Sequence, residues 1–393
     1  MRIENLESNI SGERARISAK FVWEESDRPT QDIFYETPIP FAQDLTCNPH
    51  AFLLAGMMPA MHGGERRIAL DAEICPELKD GLMTVMSWMH HWFEPHRSPI
   101  AIEAKTRSHN STPHSAERAG CFFSGGIDSL ATLRHNRLTY PLDHPASIKD
   151  GLIIYGLEFQ EPEIYQKQVM QQLSTIAEAA SITLIPVYTN VRRLNENWSF
   201  WLDEFQGAVL ASVAHVFSRR LTTVSIASSD DIQNLTPLGS HPLIDPNYSS
   251  SDLRIYHNGN RFSRLDKTRL IADWEAALHN VKVCFKTQLQ KSGKVNCGRC
   301  EKCLRTMTTL IALDKLEQSQ AFDQHDVSVQ DLMQGAYINP GLEGDYRVLI
   351  PLLKERGRQD LIRGIDRITQ RGREQDLKGI VKRLNRVLLQ GNR

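Results

Sequence analysis

The chain has 393 residues, with 46 basic and 47 acidic side chains, a formal charge of −1, 41% hydrophobic and 24% charged residues. Such a length suits two domains, the composition excludes disordered, collagenous and fibrous classes, and the balanced charge argues against a surface shaped throughout for polyanions. No window approaches the roughly 18 apolar residues of a membrane span, and Met1–Glu7 is acidic with no apolar core, so a cytoplasmic protein without signal or transit peptide and without a membrane partner is expected.

Alternation over Ala15–Trp23 and Asp32–Tyr35, with Asp27-Arg28-Pro29 between them, predicts a hairpin. Glu65–Asp71 follows as a strand candidate, and Leu78, Leu82, Val85, Met86, Met89 and Trp92 give Pro76–Phe93 helical spacing. Residues 1–105 therefore read as a small α+β domain and the polar run 106–118 as a linker. Beyond it, apolar strands at Gly120–Phe123, Gly151–Tyr155, Thr183–Tyr188 and Thr222–Ala227 alternate with helical patterns at Ser129–Arg137, Pro162–Ala180 and Asp203–Arg219. That alternation predicts an α/β fold, a parallel sheet flanked by helices, with ligands beyond the carboxyl ends of its strands. A strand at Leu253–His257, a helix over Arg264–His279 and a short strand at Val281–Phe285 lead to a cysteine cluster and a further helix from near Cys303. The stretch Lys354–Arg393 holds twelve basic and five acidic residues, a net of +7 (12 − 5), with an amphipathic period. Residues 316–393 are thus expected to be a helical basic tail, suited to packing on its own domain or a sister subunit in a homodimer, with RNA as a less favoured partner.

The segment Cys121-Phe122-Phe123-Ser124-Gly125-Gly126-Ile127-Asp128-Ser129-Leu130 is an apolar strand entering a small-residue turn and then a helix. Its glycines let the backbone approach an anion, Ser124 and Ser129 offer hydroxyls, and the unpaired N–H groups of the new helix converge there. Asp128 would repel bare phosphate, which points to Mg²⁺ between carboxylate and phosphate oxygens. No Gly-Lys-Ser/Thr occurs, so the lysine-bearing phosphate loop is excluded. The run Ser-Gly-Gly-x-Asp-Ser at the end of a strand resembles the signature of the PP-loop (N-type) ATP pyrophosphatases. That resemblance implies an adenine nucleotide alpha hydrolase-like fold over residues 119–315 and cleavage of ATP between the α and β phosphates. It also implies ATP binding by Ser124, Gly125, Gly126, Ile127, Asp128 and Ser129, with Gly156 bordering the adenine.

Cys284-x12-Cys297-x2-Cys300-x2-Cys303 supplies four thiols, the number a tetrahedral structural Zn²⁺ site needs. An iron–sulfur cluster is the competing use and persulfide chemistry a third. A Ser-Gly-Gly-x-Asp-Ser loop followed about 150 residues later by Cys-Gly-x-Cys-x-x-Cys and Arg305 resembles the 7-cyano-7-deazaguanine synthase family. The resemblance implies zinc on these four cysteines and AMP-forming activation of a 7-deazapurine carboxylate, with transfer to nitrogen.

Four further places carry candidates. Ser229 and its acidic neighbours end the fourth strand of the parallel series, where substrate or Mg²⁺ would lie. His241 and Asp245 in a proline-stiffened loop form a candidate acid/base pair. Arg264 and Lys267, opening a helix, are placed to meet the charge developing on pyrophosphate. Arg192 after the third strand of that series is a candidate substrate contact. The competing readings are a solvated loop for Ser229, local turn hydrogen bonds for His241 and Asp245, and an ordinary exposed face for Arg264, Lys267 and Arg192. Arg2 follows the initiator, and Cys47 and Cys75 lack a glycine-flanked elbow, so no glutaminase is expected. The nitrogen would come from ammonia or from an amine on a small molecule or protein. A tRNA-modifying enzyme of the same loop class and a non-catalytic module holding ATP and zinc are the rival readings.

Overall fold

The computed structural model describes residues 1–93, 97–108, 117–157, 162–336, 338 and 340–390, the stretch 375–390 by backbone alone. Most of the expected linker, 109–116, lies outside the described residues. In chain order the elements are β1 (Arg2–Ser11), β2 (Arg14–Val22), β3 (Gln31–Pro38), α1 (Pro49–His62), β4 (Arg67–Ile74), α2 (Pro76–Phe93), β5 (Ala101–Thr106), β6 (Ala119–Phe122) and α3 (Ile127–Thr139). There follow β7 (Ile148–Tyr155), α4 (Glu163–Ala180), β8 (Thr183–Thr189), the single turn α5 (Trp198–Phe200), α6 (Gln206–His215), β9 (Thr223–Ala227) and β10 (Arg254–Asn258). The carboxy-terminal part is helical: α7 (Arg264–Ala272), α8 (Glu275–Asn280), α9 (Glu301–Ala312), α10 (Val329–Gly335), α11 (Pro340–Arg347), α12 (Ile350–Glu355) and α13 (Gln359–Gln390). Two compact units result. One comprises Met1–Ser124, Thr132–Glu161 and Ala177–Arg261, the other Gly125–Ala131, Pro162–Ile176 and Phe262–Arg393.

The first unit is built on one ten-stranded, mostly parallel sheet of order β10-β9-β6-β7-β8-β3-β2-β1-β4-β5. Strands β10 to β8 run parallel, the α/β arrangement that the alternating pattern predicts. The order reverses between β6 and β9, the kind of switch point at which α/β sheets open a crevice for ligands. The predicted hairpin is β2 and β3, antiparallel from Arg14↔Pro38 to Phe21↔Gln31.

The sheet does not stop where residues 1–105 end: β3 pairs antiparallel with β8 through Tyr35↔Thr189 and Glu36↔Tyr188. Thr189 Oγ1 donates to the Phe34 carbonyl at 2.7 Å and Thr37 Oγ1 to the Pro186 carbonyl at 2.9 Å. The hydrophobic core is correspondingly shared, running from Ile17, Phe21 and Phe52 to Val187, Phe205 and Ile226. Helix α1 escapes the periodic reading because every residue from His50 to Met61 is buried, so it has no polar face to betray a period. Its start is set by Asn48, whose side chain accepts the His50 N–H, with Pro49 in the first turn. Strands β1 and β5 are also unforeseen, and most of the residues of each are exposed.

Two expectations are corrected in the second unit. The helix over Arg264–His279 is broken into α7 and α8 at Asp273-Trp274, where the Asp273 N–H bonds back to Arg269 and the Trp274 N–H restarts on Ile271. Val281–Phe285 is irregular chain rather than a strand. Its backbone is held by a side chain, since Asn296 Oδ1 accepts from the Val283 and Cys284 N–H groups at 2.9 and 3.2 Å. The expected helical tail, residues 316–393, contains α10, α11, α12 and α13, and Leu361, Ile365 and Ile368 on the first half of α13 are fully buried.

Candidate functional site

Strand β6 ends at Phe122, and the chain turns through Ser124, Gly125 and Gly126 into α3. Gly125 has φ +74°, a left-handed conformation that a side chain would strain, and a Cβ there would meet Leu173 at 2.5 Å. Its carbonyl accepts the Lys282 N–H at 2.8 Å, which pins the turn. Ser129 Oγ donates to the Gly126 carbonyl at 3.0 Å, and the Leu130 N–H accompanies it to the same oxygen. Ile127 is buried and Ser124 is exposed. The turn thus delivers the first N–H groups of α3 with the small-residue backbone the sequence predicts.

Asp128, in the first turn of α3, is where three of the expected residues meet. Arg264 Nη1 contacts both carboxylate oxygens at 3.0 and 2.9 Å, and Lys267 Nζ stands 3.1 Å from Oδ1. Helix α7 presents the pair because Ser263 and Asp266 form a reciprocal capping box at its start. The Lys267 side chain is only 2% exposed and that of Asp128 23%. Burial alone would raise the Asp128 carboxyl, but the Arg264 and Lys267 charges outweigh it and hold the group below its ordinary value. It is an ionised, reachable carboxylate, and so fits one hard ligand position for a divalent cation such as Mg²⁺.

More charge gathers in the same unit than the sequence pattern indicated. Arg305 pairs with Glu301 at 3.1 Å and with Asp345. The Lys302 ammonium lies over the Phe285 ring, 3.5 Å from its centroid. Burial, together with the Arg264 and Arg305 charges, pushes Lys302 down to about 8. Four cations, Arg264, Lys267, Lys302 and Arg305, thus accompany three carboxylates, Asp128, Glu301 and Asp345, a setting that favours an added anion.

The four cysteines of the predicted cluster come together, with Sγ atoms all within 4.8 Å of one another. Cys284 to Cys300 is 3.8 Å, Cys297 to Cys303 3.9 Å and Cys300 to Cys303 3.5 Å. Tetrahedral zinc with Zn–S bonds of about 2.3 Å requires sulfur separations of about 3.8 Å, so the set fits a metal ion such as zinc. Cys297 Sγ accepts the N–H groups of Arg299 and Cys300 at 3.5 and 3.3 Å, support typical of a thiolate knuckle. Gly298, at φ +66°, makes the turn between them. Asn296 was not foreseen. Fully buried, it fixes the Cys284 backbone and donates to the Val281 and Ala321 carbonyls at 2.8 and 3.1 Å. Its place directly before Cys297 was the available signal.

The remaining candidates lie in the first unit. Gly156 follows β7, its backbone packed on the Thr189 carbonyl. Arg192 is buried, donates to the Leu157 carbonyl at 2.9 Å and lies 4.6 Å from the Trp201 ring centroid. Ser229 is exposed at the carboxyl end of β9. Asp245 is fully buried, yet the imidazole it holds is not that of His241, as the loop sequence suggested. Its Oδ2 takes His257 Nδ1 at 2.7 Å and Ser240 Oγ at 2.7 Å, while His241 contributes only its backbone N–H, at 3.3 Å. The His241 ring accepts the Leu243 N–H at 3.1 Å and packs edge-on against Trp92. The turn Asp245–Tyr248 reverses the chain and β10 returns alongside, which brings His257 to Asp245 across twelve positions.

Among the described residues no helix is long and apolar enough to cross a membrane. Comparison of the chain with protein families, curated proteins and solved structures finds no match.

Proposed function

We propose that the protein is an ATP pyrophosphatase-type ligase that adenylates a carboxylate, a 7-deazapurine acid being the leading candidate, and passes the acyl group to a nitrogen nucleophile. The observation that carries this reading is the grip of Arg264 and Lys267 on Asp128, beside a glycine turn that opens a helix. An anion-ready backbone, an ionised carboxylate and two cations are the parts that a departing, metal-carried pyrophosphate requires.

In this reading the main chain of Ser124, Gly125, Gly126 and Ile127 binds the β and γ phosphates, joined by the Ser129 hydroxyl once it turns from the Gly126 carbonyl. Asp128 would hold Mg²⁺, which would supply neutralisation of the phosphate charge there. The carboxylate oxygen attacks the α phosphorus, and the bond to the bridging oxygen breaks. Arg264 and Lys267 turn from Asp128 to the charge that appears on the leaving pyrophosphate. The nitrogen nucleophile then attacks the acyl carbon and AMP departs with the electron pair of the acyl–oxygen bond. Cys284, Cys297, Cys300 and Cys303 would carry zinc as a closed, four-thiolate structural centre.

RNA is the less supported partner. Several basic groups of the expected tail are engaged internally: Arg358 with Asp326 and Asp360, Arg371 with the Met333 and Ala336 carbonyls, and Arg373 with Glu343. The reaction is tested by isotope transfer. A deazapurine acid labelled with ¹⁸O in its carboxylate should pass one ¹⁸O to AMP on incubation with the enzyme, ATP and ammonium. Label found only in inorganic phosphate would overturn the adenylate.

A further inference from the structure

The carbonyl of Gly125 accepts the Lys282 N–H at 2.8 Å. A peptide group is planar and trans, so its C=O and N–H point in opposite directions, and a bond that fixes the Gly125 carbonyl also aims the Gly126 N–H. Gly126 is among the main-chain donors of the proposed phosphate site. Glycines on both sides let that peptide plane rotate, with Gly125 already at φ +74°. The bond from Lys282 selects one orientation of it.

Lys282 lies on irregular chain, two residues before Cys284 of the metal cluster. One buried side chain braces this chain. Asn296, 1% exposed, accepts the Val283 and Cys284 N–H groups on Oδ1 at 2.9 and 3.2 Å. Its Nδ2 donates to the Val281 and Ala321 carbonyls at 2.8 and 3.1 Å. The amide thus makes two bonds as acceptor and two as donor, its full capacity, and three of the four fall within 281–284. The next residue is Cys297, which shares the four-sulfur cluster with Cys284. With an ion on those sulfurs the span 284–297 would be closed at both ends, and Asn296 extends that closure to the neighbour of Lys282.

We propose that Asn296 is a positioning residue that couples the cysteine cluster to the phosphate turn, holding residues 281–284 so that the Gly125–Gly126 peptide keeps its N–H towards phosphate oxygen. The inference deepens the ligase reading and rests on its assignment of that turn to phosphate. Coupling between two sites is reciprocal. An anion on the turn therefore steadies Lys282–Cys284, just as the brace on Lys282–Cys284 steadies the turn. Asn296→Ala keeps all four sulfurs and removes only the brace.

The test uses the zinc-loaded, full-length chain and inorganic pyrophosphate with Mg²⁺, without ATP or acid. Calorimetric titration should show Asn296→Ala binding pyrophosphate about tenfold or more weakly than wild type, with one zinc per chain in both after the titration. In wild type, hydrogen-exchange mass spectrometry should show pyrophosphate slowing amide exchange at Lys282–Cys284 by about threefold or more. Sodium chloride at equal ionic strength should leave that exchange unchanged. A residue that only supports the fold predicts neither result. Unchanged pyrophosphate affinity in the variant at full zinc, or exchange at Lys282–Cys284 indifferent to pyrophosphate, would overturn the proposal and leave the ligase reading standing. If Asn296→Ala does not fold or loses its zinc, the wild-type exchange decides. Failure of wild type to bind pyrophosphate would overturn the phosphate turn and the coupling together, whereas failure of the isotope experiment alone would remove the adenylate and leave the coupling standing.

Discussion

Arg264 grips both carboxylate oxygens of Asp128 through a single nitrogen, at 3.0 and 2.9 Å, across 136 positions of sequence. The two residues lie in separate predicted motifs, one a phosphate turn and the other a helix start. Their contact turns two local patterns into one electrostatic unit, with Lys267 as its third member.

On the proposed ligase reaction, removing the Lys267 charge while keeping its stem, as Lys267→Met, should lower ATP-dependent AMP formation by about 10²-fold or more, because the proposal makes Lys267 a donor to the leaving pyrophosphate. Asp128→Asn should do the same through weakened metal binding. Chromatography of nucleotide products reads both variants. Rates within twofold of wild type would count against the assigned roles.

Metal analysis of the purified protein should give one zinc per chain. Cys300→Ser should lower that content, and chelation or substitution should destabilise the chain by at least about 3 kcal/mol, since binding energy at a structural zinc site is folding energy. On the usual scaling this is roughly 6–12 °C in unfolding midpoint. A red-brown protein with iron and acid-labile sulfide would instead identify an iron–sulfur cluster.

His215 gives the first unit an acid sensitivity. Fully buried, it shares a hydrogen bond with the Tyr248 carbonyl at 2.9 Å and lies edge-on to His50, and burial pushes it down to about 4 from an ordinary 6.5. Above pH 6.5 it is neutral folded or unfolded, and its contribution is complete. As pH falls from 6.5 towards 4, the unfolded chain takes a proton that the folded chain refuses, and up to about 3 kcal/mol is lost. Urea unfolding at pH 7.5, 6 and 5 should show that decline, and His215→Gln should lessen it, the buried His50, also pushed well below its ordinary value, keeping part of the slope. An identical slope in the variant would contradict the assignment.

Asp150 is fully buried and faces two arginines. Arg118 reaches it at 2.5 and 2.8 Å and Arg220 twice at 3.0 Å, while Arg220 also holds Asp44 at 2.8 Å. Asp150→Ala leaves both guanidinium groups short of their counter-charge and should cost about 3 kcal/mol of stability. Thermal unfolding should register a fall of roughly 6–12 °C; an unchanged midpoint would show that the network is energetically neutral.

The parallel half of the sheet and α2 were legible because their periods are set by one-sided or alternating burial. Helix α1 was not, since a helix buried on every side has no period to display. The pairing of β3 with β8 was hidden for a different reason: alternation marks which face of a strand is buried but not which neighbour it takes. At the site, contiguous motifs such as Ser124–Ser129 and the cysteine knuckle were readable, and so were the charged residues Arg264 and Lys267. Asn296 and His257 act through contacts that the local pattern does not encode. His241 drew the Asp245 assignment by proximity in sequence, whereas the tertiary return of β10 supplies His257.

Phosphorus-31 NMR of ATP turnover tests the central claim most directly. With ammonium and a panel of 7-deazapurine acids, the account predicts AMP and pyrophosphate in a one-to-one ratio, dependent on the acid and lowered about 10²-fold or more in Asp128→Asn. ADP and inorganic phosphate as the only products in every mixture would contradict it.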